Sequence, residues 1–301
     1  MRWFSIIALT SIFFTITADV SSADDFQLKD GDRVIFLGNT LIERAQEYSE
    51  WESQLSQAAN GKKIIFRNLG WSGDTVWAES RGLFDPPAAG YKRTQELIQE
   101  LKPTVIVIGY GTVESFRGAE GVDEFVAQYQ QLRKDLLKTN ARLIHLSPIL
   151  MEAASFPKLA EGVNERVETA NKNLNLYAEK VREISAESGE LFIDFRDAQR
   201  NKAEGTLWTE NGLHLSRSGY AETAKVLTQQ LGGTVSQKDN PELKELIRRK
   251  NELFFHRWRP QNFTYLLGFR KHEQGQNAVE IAQFDPLITE LEAQIQKQLS
   301  P

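Results

Sequence analysis

From Asp32 to about Leu231, short β-branched runs alternate with longer segments whose apolar residues recur at helical spacing. The runs are Arg33–Leu37, Lys63–Arg67, Thr104–Ile108, Arg142–Leu146 and Leu191–Phe195. Nearly continuous apolar runs of this length predict strands buried on both faces, as in a parallel sheet. Between them, Phe125, Tyr129, Leu132 and Leu136, and later Leu174, Tyr177, Val181 and Ile184, each mark one face of a helix. The alternation predicts a doubly wound, three-layer α/β/α sandwich around a five-stranded, mainly parallel sheet.

Leu231-Gly232-Gly233 closes the last helix of this unit, and the polar stretch 234–240 reads as a linker. Four segments are therefore expected: 1–23, a main domain over 24–233, the linker, and a C-terminal helical and aromatic extension over 241–301. Residues 1–23 read as an export signal, with Arg2 before an apolar run from Trp3 to Ala18 and the small residues Ser21-Ser22-Ala23 at its end. The run falls short of the roughly 20 apolar residues of a membrane span. This predicts an exported protein, periplasmic or extracellular, with no stable membrane span once the signal is cleaved.

The 301 residues carry 36 Lys and Arg against 41 Asp and Glu, a net charge of −5. That balance argues against nucleic acid as a partner, because such binding rests on many basic contacts to phosphate. Charge is also unevenly spread. From Pro241 to Lys271 eight basic residues face three acidic ones, so this segment carries +5 and the remainder −10. The same tail holds Phe254, Phe255, Trp258, Phe263, Tyr265 and Phe269, too many aromatics for a solvated linker. It reads as a strap on the acidic body in which Arg257, Arg259 and Arg270 pair with carboxylates; contact with an anionic membrane or polysaccharide is the alternative. Cysteine is absent, which excludes disulfides, thiolate metal sites and a catalytic thiol. Four histidines without paired spacing predict no metal site, and no nucleotide-binding glycine motif is present, so no cofactor is expected.

In open parallel sheets ligands sit beyond the carboxyl ends of the strands. The loops there are polar: Gly38-Asn39-Thr40, then Asn68-Leu69-Gly70-Trp71-Ser72-Gly73-Asp74, then Gly109-Tyr110-Gly111-Thr112-Val113-Glu114, and Asn211-Gly212-Leu213-His214 before the last helix. In order and placement, these blocks resemble those of the SGNH or GDSL hydrolase superfamily over roughly Asp32 to Leu231. The resemblance implies a flavodoxin-like sheet and hydrolysis of an ester. It casts Thr40 as nucleophile, His214 as base, Asn211 in the place of the residue that orients the base, and Gly73 as oxyanion donor. The tail, with Lys250-Asn251-Glu252-Leu253-Phe254-Phe255-His256-Arg257-Trp258, looks like that of a divergent exported bacterial group of such proteins.

The chemistry departs from the pattern at three positions, where Thr40 replaces Ser, Val113 replaces an oxyanion Asn, and Asn211 replaces Asp. Thr112, Glu114 and the backbone N–H groups of Thr40 and Gly73 are candidates to line the pocket, and Glu210 is a candidate to orient His214 or meet substrate. Trp71, Trp77 and Trp208 flank the pocket in sequence and suit a sugar ring or an acyl group, or else simply pack. Thr40 also reads as the N-cap of a helix beginning at Leu41, with Glu43 completing a capping box. The expected partner is a small-molecule or polysaccharide ester. The alternative is a weakened relative that binds a glycan or acyl ligand without turnover.

Overall fold

The computed structural model describes residues 26–156 and 161–299; the export segment read in residues 1–23 lies outside them. The elements run β1 (Arg33–Gly38), α1 (Thr40–Tyr48), α2 (Glu50–Ala58), β2 (Ile65–Gly70), α3 (Pro87–Leu101), β3 (Val105–Gly109), α4 (Val122–Leu136) and β4 (Arg142–Leu146). There follow α5 (Val163–Glu187), β5 (Leu191–Ile193), α6 (Phe195–Arg200), α7 (Arg217–Gln230), α8 (Pro241–Trp258), α9 (Phe263–Leu266), α10 (Lys271–Gln274) and α11 (Phe284–Leu299). All five strands are parallel, in the order β2-β1-β3-β4-β5.

Because side chains alternate along a strand, each strand feeds two cores. Val34 and Phe36 join Trp51, Leu55, Tyr220 and Leu227 on the side of α2 and α7. Ile35 and Leu37 join Phe125, Tyr129, Tyr177 and Val181 on the side of α4 and α5. His145, inside β4, is fully buried between Tyr129 Oη at 2.7 Å and a Glu190 carboxylate oxygen at 2.8 Å.

Two strands end two or more residues from where the sequence pattern places their ends. The second extends through Gly70, whose backbone faces Gly38 of β1. Asn68, read as loop, instead anchors the strand end: its amide donates to Ile42 O at 2.6 Å and its oxygen accepts from Gly70 N at 2.8 Å. The fifth strand stops at Ile193 because the Asp194 carboxylate accepts from Arg196 N and starts α6, which turns Phe195 into a helical residue. At the carboxyl edge the backbones pack directly against one another. A Cβ on Gly38 would lie 2.3 Å from Gly109 O, and one on Gly70 would lie 2.1 Å from Glu43 N. Glycine at both positions lets the first turn of α1 sit down on the strand ends.

Helix α8 packs on β2, α1 and α2, and α11 packs on α8. The contact centres on the buried Lys250, whose ammonium donates to Glu52 Oε1 at 2.5 Å and to Phe66 O, on edge strand β2, at 3.3 Å. Asn251 Nδ2 donates to the other Glu52 oxygen at 3.1 Å. Burial pulls the Lys250 ammonium below its ordinary value despite the Glu52 charge beside it. Of the three arginines expected to meet the body, Arg259 pairs with Glu43 at 2.7 Å and Arg257 lies 3.6 Å from Glu100. Arg270 instead pairs with Glu273 of its own segment, and Phe269 is left 68% exposed.

Removing one member of a buried ion pair strands the other, a loss of roughly 3–5 kcal/mol. Lys250→Ala is therefore expected to lower unfolding stability by about that amount in urea titrations, whereas Lys250→Met combined with Glu52→Leu costs far less. Equal stability of Lys250→Ala and the unaltered chain would show that this contact does not hold the extension.

Candidate active site

In the strand order found here the sheet reverses direction of winding between β1 and β3, and their following loops open a crevice. Thr40 enters that crevice as the first residue of α1. The N-cap is Asn39, whose side chain accepts from Leu41 N at 3.1 Å, so the capping box expected of Thr40 and Glu43 does not form. Glu43 turns away to accept from Ser72 N and Ser72 Oγ at 2.9 and 2.7 Å. Thr40 Oγ1 is thereby left facing the crevice, where it accepts from Gly73 N at 3.0 Å. Gly73 adopts φ 70°, a left-handed conformation that suits glycine. The Thr40 N–H, in the first turn of a helix, has no hydrogen-bond partner among the described residues. The Gly73 N–H and the Thr40 hydroxyl therefore meet at the positive end of α1.

Thr40 and His214 line the same small cavity, of about 50 Å³, with Asn39, Arg44, Thr112 and Val113. No hydrogen bond joins Thr40 Oγ1 to the His214 ring among the described residues. The ring is instead held by Asn211, whose amide nitrogen lies 3.0 Å from His214 Nδ1. The amide orientation follows from its other end, because Asn211 Oδ1 accepts from the backbone N–H groups of Leu213 (3.2 Å) and His214 (2.8 Å). Its NH₂ must then donate to Nδ1, which puts the imidazole proton on Nε2. Burial, reinforced by the Arg44 charge and opposed by Glu210, holds His214 below the ordinary histidine value of 6.5. The ring is neutral at pH 7, in the tautomer opposite to that of a Ser-His-Asp base.

The remaining candidates separate. Thr112 lines the cavity. Glu114 does not; it is 1% exposed and accepts from Val76 N at 2.9 Å and Gly111 N at 2.8 Å, bracing two loops. Burial pushes its carboxyl up to about 7. Glu210 makes no side-chain bond to His214; its carboxylate pairs with Arg44 at 2.6 Å. Trp208 is buried in the α2–α7 core beside β4 and β5 and cannot meet a substrate. Trp71 is also buried and lines a different cavity, under Arg259. The aromatic residues that do line the Thr40 cavity are Phe116, which is 60% exposed, and the buried Tyr220.

Arg44 was missed, although its place four residues after Thr40 puts both on one face of α1. So was the buried trio of Asp74, Arg81 and Tyr110. Arg81 Nε donates to Asp74 Oδ2 at 2.5 Å and Tyr110 Oη donates to the same oxygen at 3.0 Å. Among the described residues no cluster of three His, Asp or Glu is arranged to hold a metal ion, and no helix is long and apolar enough to cross a membrane.

A family model described as GDSL-like lipase/acylhydrolase matches residues 31–222. No curated protein matches the chain. Among solved structures, a catalytic mutant of Axe2, an acetylxylan esterase from Geobacillus stearothermophilus, is similar with a TM-score of 0.53 and 19% identity. It covers 71% of this chain and 100% of its own. Another mutant of Axe2, described as an acetyl-xylooligosaccharide esterase, gives 0.54 and 18% over the same shares. At these identities the likeness establishes a shared fold.

The tautomer is directly measurable. Nitrogen-15 shifts of the His214 ring are expected to report a protonated Nε2 and a bare Nδ1, and to reverse in Asn211→Asp. A protonated Nδ1 in the unaltered protein would contradict the assignment.

Proposed function

Because the chain belongs to the GDSL-like lipase/acylhydrolase family, we propose that it is an exported hydrolase of short acyl esters, acetyl esters foremost, and a slow one. The observation that carries this reading is Thr40 Oγ1 resting on the Gly73 N–H, inside the cavity that also receives His214. A water needs roughly 10–15 Å³ of such space. A volume of about 50 Å³ therefore suits a group of a few heavy atoms better than a long chain. The acetylxylan and acetyl-xylooligosaccharide esterases of similar fold make acetylated sugars the natural first substrates to try. Export rests on the sequence layout of residues 1–23.

In this mechanism His214 Nε2 takes the Thr40 proton as Oγ1 attacks the acyl carbon. The ester C–O bond then breaks, the alcohol leaves with that proton, and water repeats the sequence to release the acid. The N–H groups of Gly73 and Thr40 receive the oxyanion, Gly73 turning from the resting hydroxyl to the developing charge. Val113, where the family pattern has Asn, offers no third donor, a deficit of about 10²–10³ in rate. Nε2 can accept the proton only after the imidazole proton moves to Nδ1, where it meets the Asn211 NH₂. In a Ser-His-Asp enzyme the same Asp-to-Asn change lowers turnover about 10⁴-fold.

An aspartate at 211 could accept from Nδ1–H with one oxygen and from Leu213 N and His214 N with the other. Asn211→Asp is therefore expected to raise kcat on p-nitrophenyl acetate by roughly 10² or more. Thr40→Ala and His214→Ala should both fall to the buffer rate, and activity equal to the unaltered chain in either would refute their roles. In the active forms kcat/KM should fall on acidification as His214 takes a proton, with a midpoint below 6.5. A second reading, binding of an acyl or glycan ligand without turnover, is favoured by the Nε2–H, which can donate to a carbonyl as it stands. It prevails if neither the unaltered chain nor Asn211→Asp exceeds the buffer rate while an acetylated oligosaccharide still binds.

A further inference from the structure

A second cavity, of about 560 Å³, lies between α3 and the C-terminal segment and shares no lining residue with the Thr40 cavity. Its size is that of a pocket for a small organic molecule, roughly 300–1,000 Å³. Leu97, Trp258 and Phe263 give it apolar walls. Leu83, Phe84 and Leu267 also line it and are left 48%, 78% and 51% exposed, an apolar surface that a soluble protein rarely leaves in water without use.

Its charges are all of one sign. Arg81, Arg93, Arg257 and Arg259 line the cavity and no carboxylate does. Each guanidinium has a carboxylate partner outside the lining, Asp74, Asp85, Asp285 and Glu43 respectively. Arg259 has donors to spare. It uses only Nη1 on Glu43 and stacks 3.5 Å from the centroid of Trp71, while its Nε and Nη2 make no hydrogen bond among the described residues. Burial, with Arg81 close by, holds this guanidinium below its ordinary value although Glu43 offsets part of the loss.

We propose that this cavity is a binding site for an amphipathic anion, an aliphatic chain ending in a carboxylate or phosphate, with the head on Arg259 and the chain along Leu97, Phe263 and Leu267. A guanidinium presents a planar fork that either head can engage with two oxygens. A cationic amphiphile would meet four arginines, and a neutral one would leave the Arg259 donors unpaired. The site is independent of the ester-hydrolase reading, because it draws on none of that cavity's residues.

The test is titration calorimetry of the full chain with decanoate, decyl phosphate, decanol and decyltrimethylammonium, each below its micelle concentration. The anions are expected to bind about tenfold or more tightly than the other two, and Arg259→Gln to remove that preference. Whichever anion binds more tightly identifies the head. Since Arg259 also braces Glu43, Leu267→Asp serves as a second variant that leaves the brace intact while adding a like charge to the lining; it should weaken both anions. Equal binding of decanol and decanoate, or undiminished decanoate binding in both variants, would overturn the proposal.

Discussion

The Arg81 guanidinium, 3% exposed, is the tie from which the candidate site hangs. Beyond its pair with Asp74, it donates from Nη2 to the carbonyls of Leu69 and Gly38, at 2.8 and 3.2 Å, near the ends of β2 and β1. Asp74 belongs to the loop that carries Gly73, so one side chain joins two strand ends to that loop. A buried charge held this way tolerates little displacement, because each lost partner leaves an uncompensated group in a low-dielectric interior. Glu114 fastens the next stretch of the same loop through Val76 N. The position of Gly73 is thus set from beneath by Arg81, Asp74 and Glu114, none of which lines the Thr40 cavity.

Around that frame the polarity of the site has been turned. The Thr40 hydroxyl rests on the Gly73 N–H, yet the Asn211 amide behind His214 donates where a carboxylate would accept. The effect is electronic and leaves the packing intact, since Asn211 keeps the backbone bonds to Leu213 and His214 that shape its turn. Arg44 acts in the same sense, its charge disfavouring the imidazolium that proton transfer would create. In the proposed mechanism slow turnover would therefore trace to Asn211, Arg44 and Val113 and not to the fold.

The fold was legible because strands such as Val105–Gly109 are apolar throughout and helices such as α4 keep strict helical spacing. Thr40, Asn211 and His214 were legible through the order of the loop blocks they share with the resembled superfamily, and Thr112 does line one cavity with Thr40 and His214. The failures share a cause as well. Trp71, Trp208 and Glu114 lie close to the pocket in sequence, but a loop residue can point to either side, and only long-range partners decide which. Trp208 turns inward because its backbone N–H meets the buried Glu152 carboxylate, 56 positions away. The capping box failed likewise, for Glu43 had better partners in Ser72 and Arg259 than its own helix could offer.

In the proposed mechanism Thr40 Oγ1 is the atom that accepts the acyl group. In that mechanism the opposed His214 tautomer slows deacylation along with acylation, so an acyl intermediate is expected to persist long enough to trap. Peptide mass spectrometry of the unaltered protein, quenched in acid after incubation with p-nitrophenyl acetate, is predicted to find an acetyl group on Thr40. That group should be absent from His214→Ala. Consumption of the ester with Thr40 unmodified at every time point would contradict the mechanism.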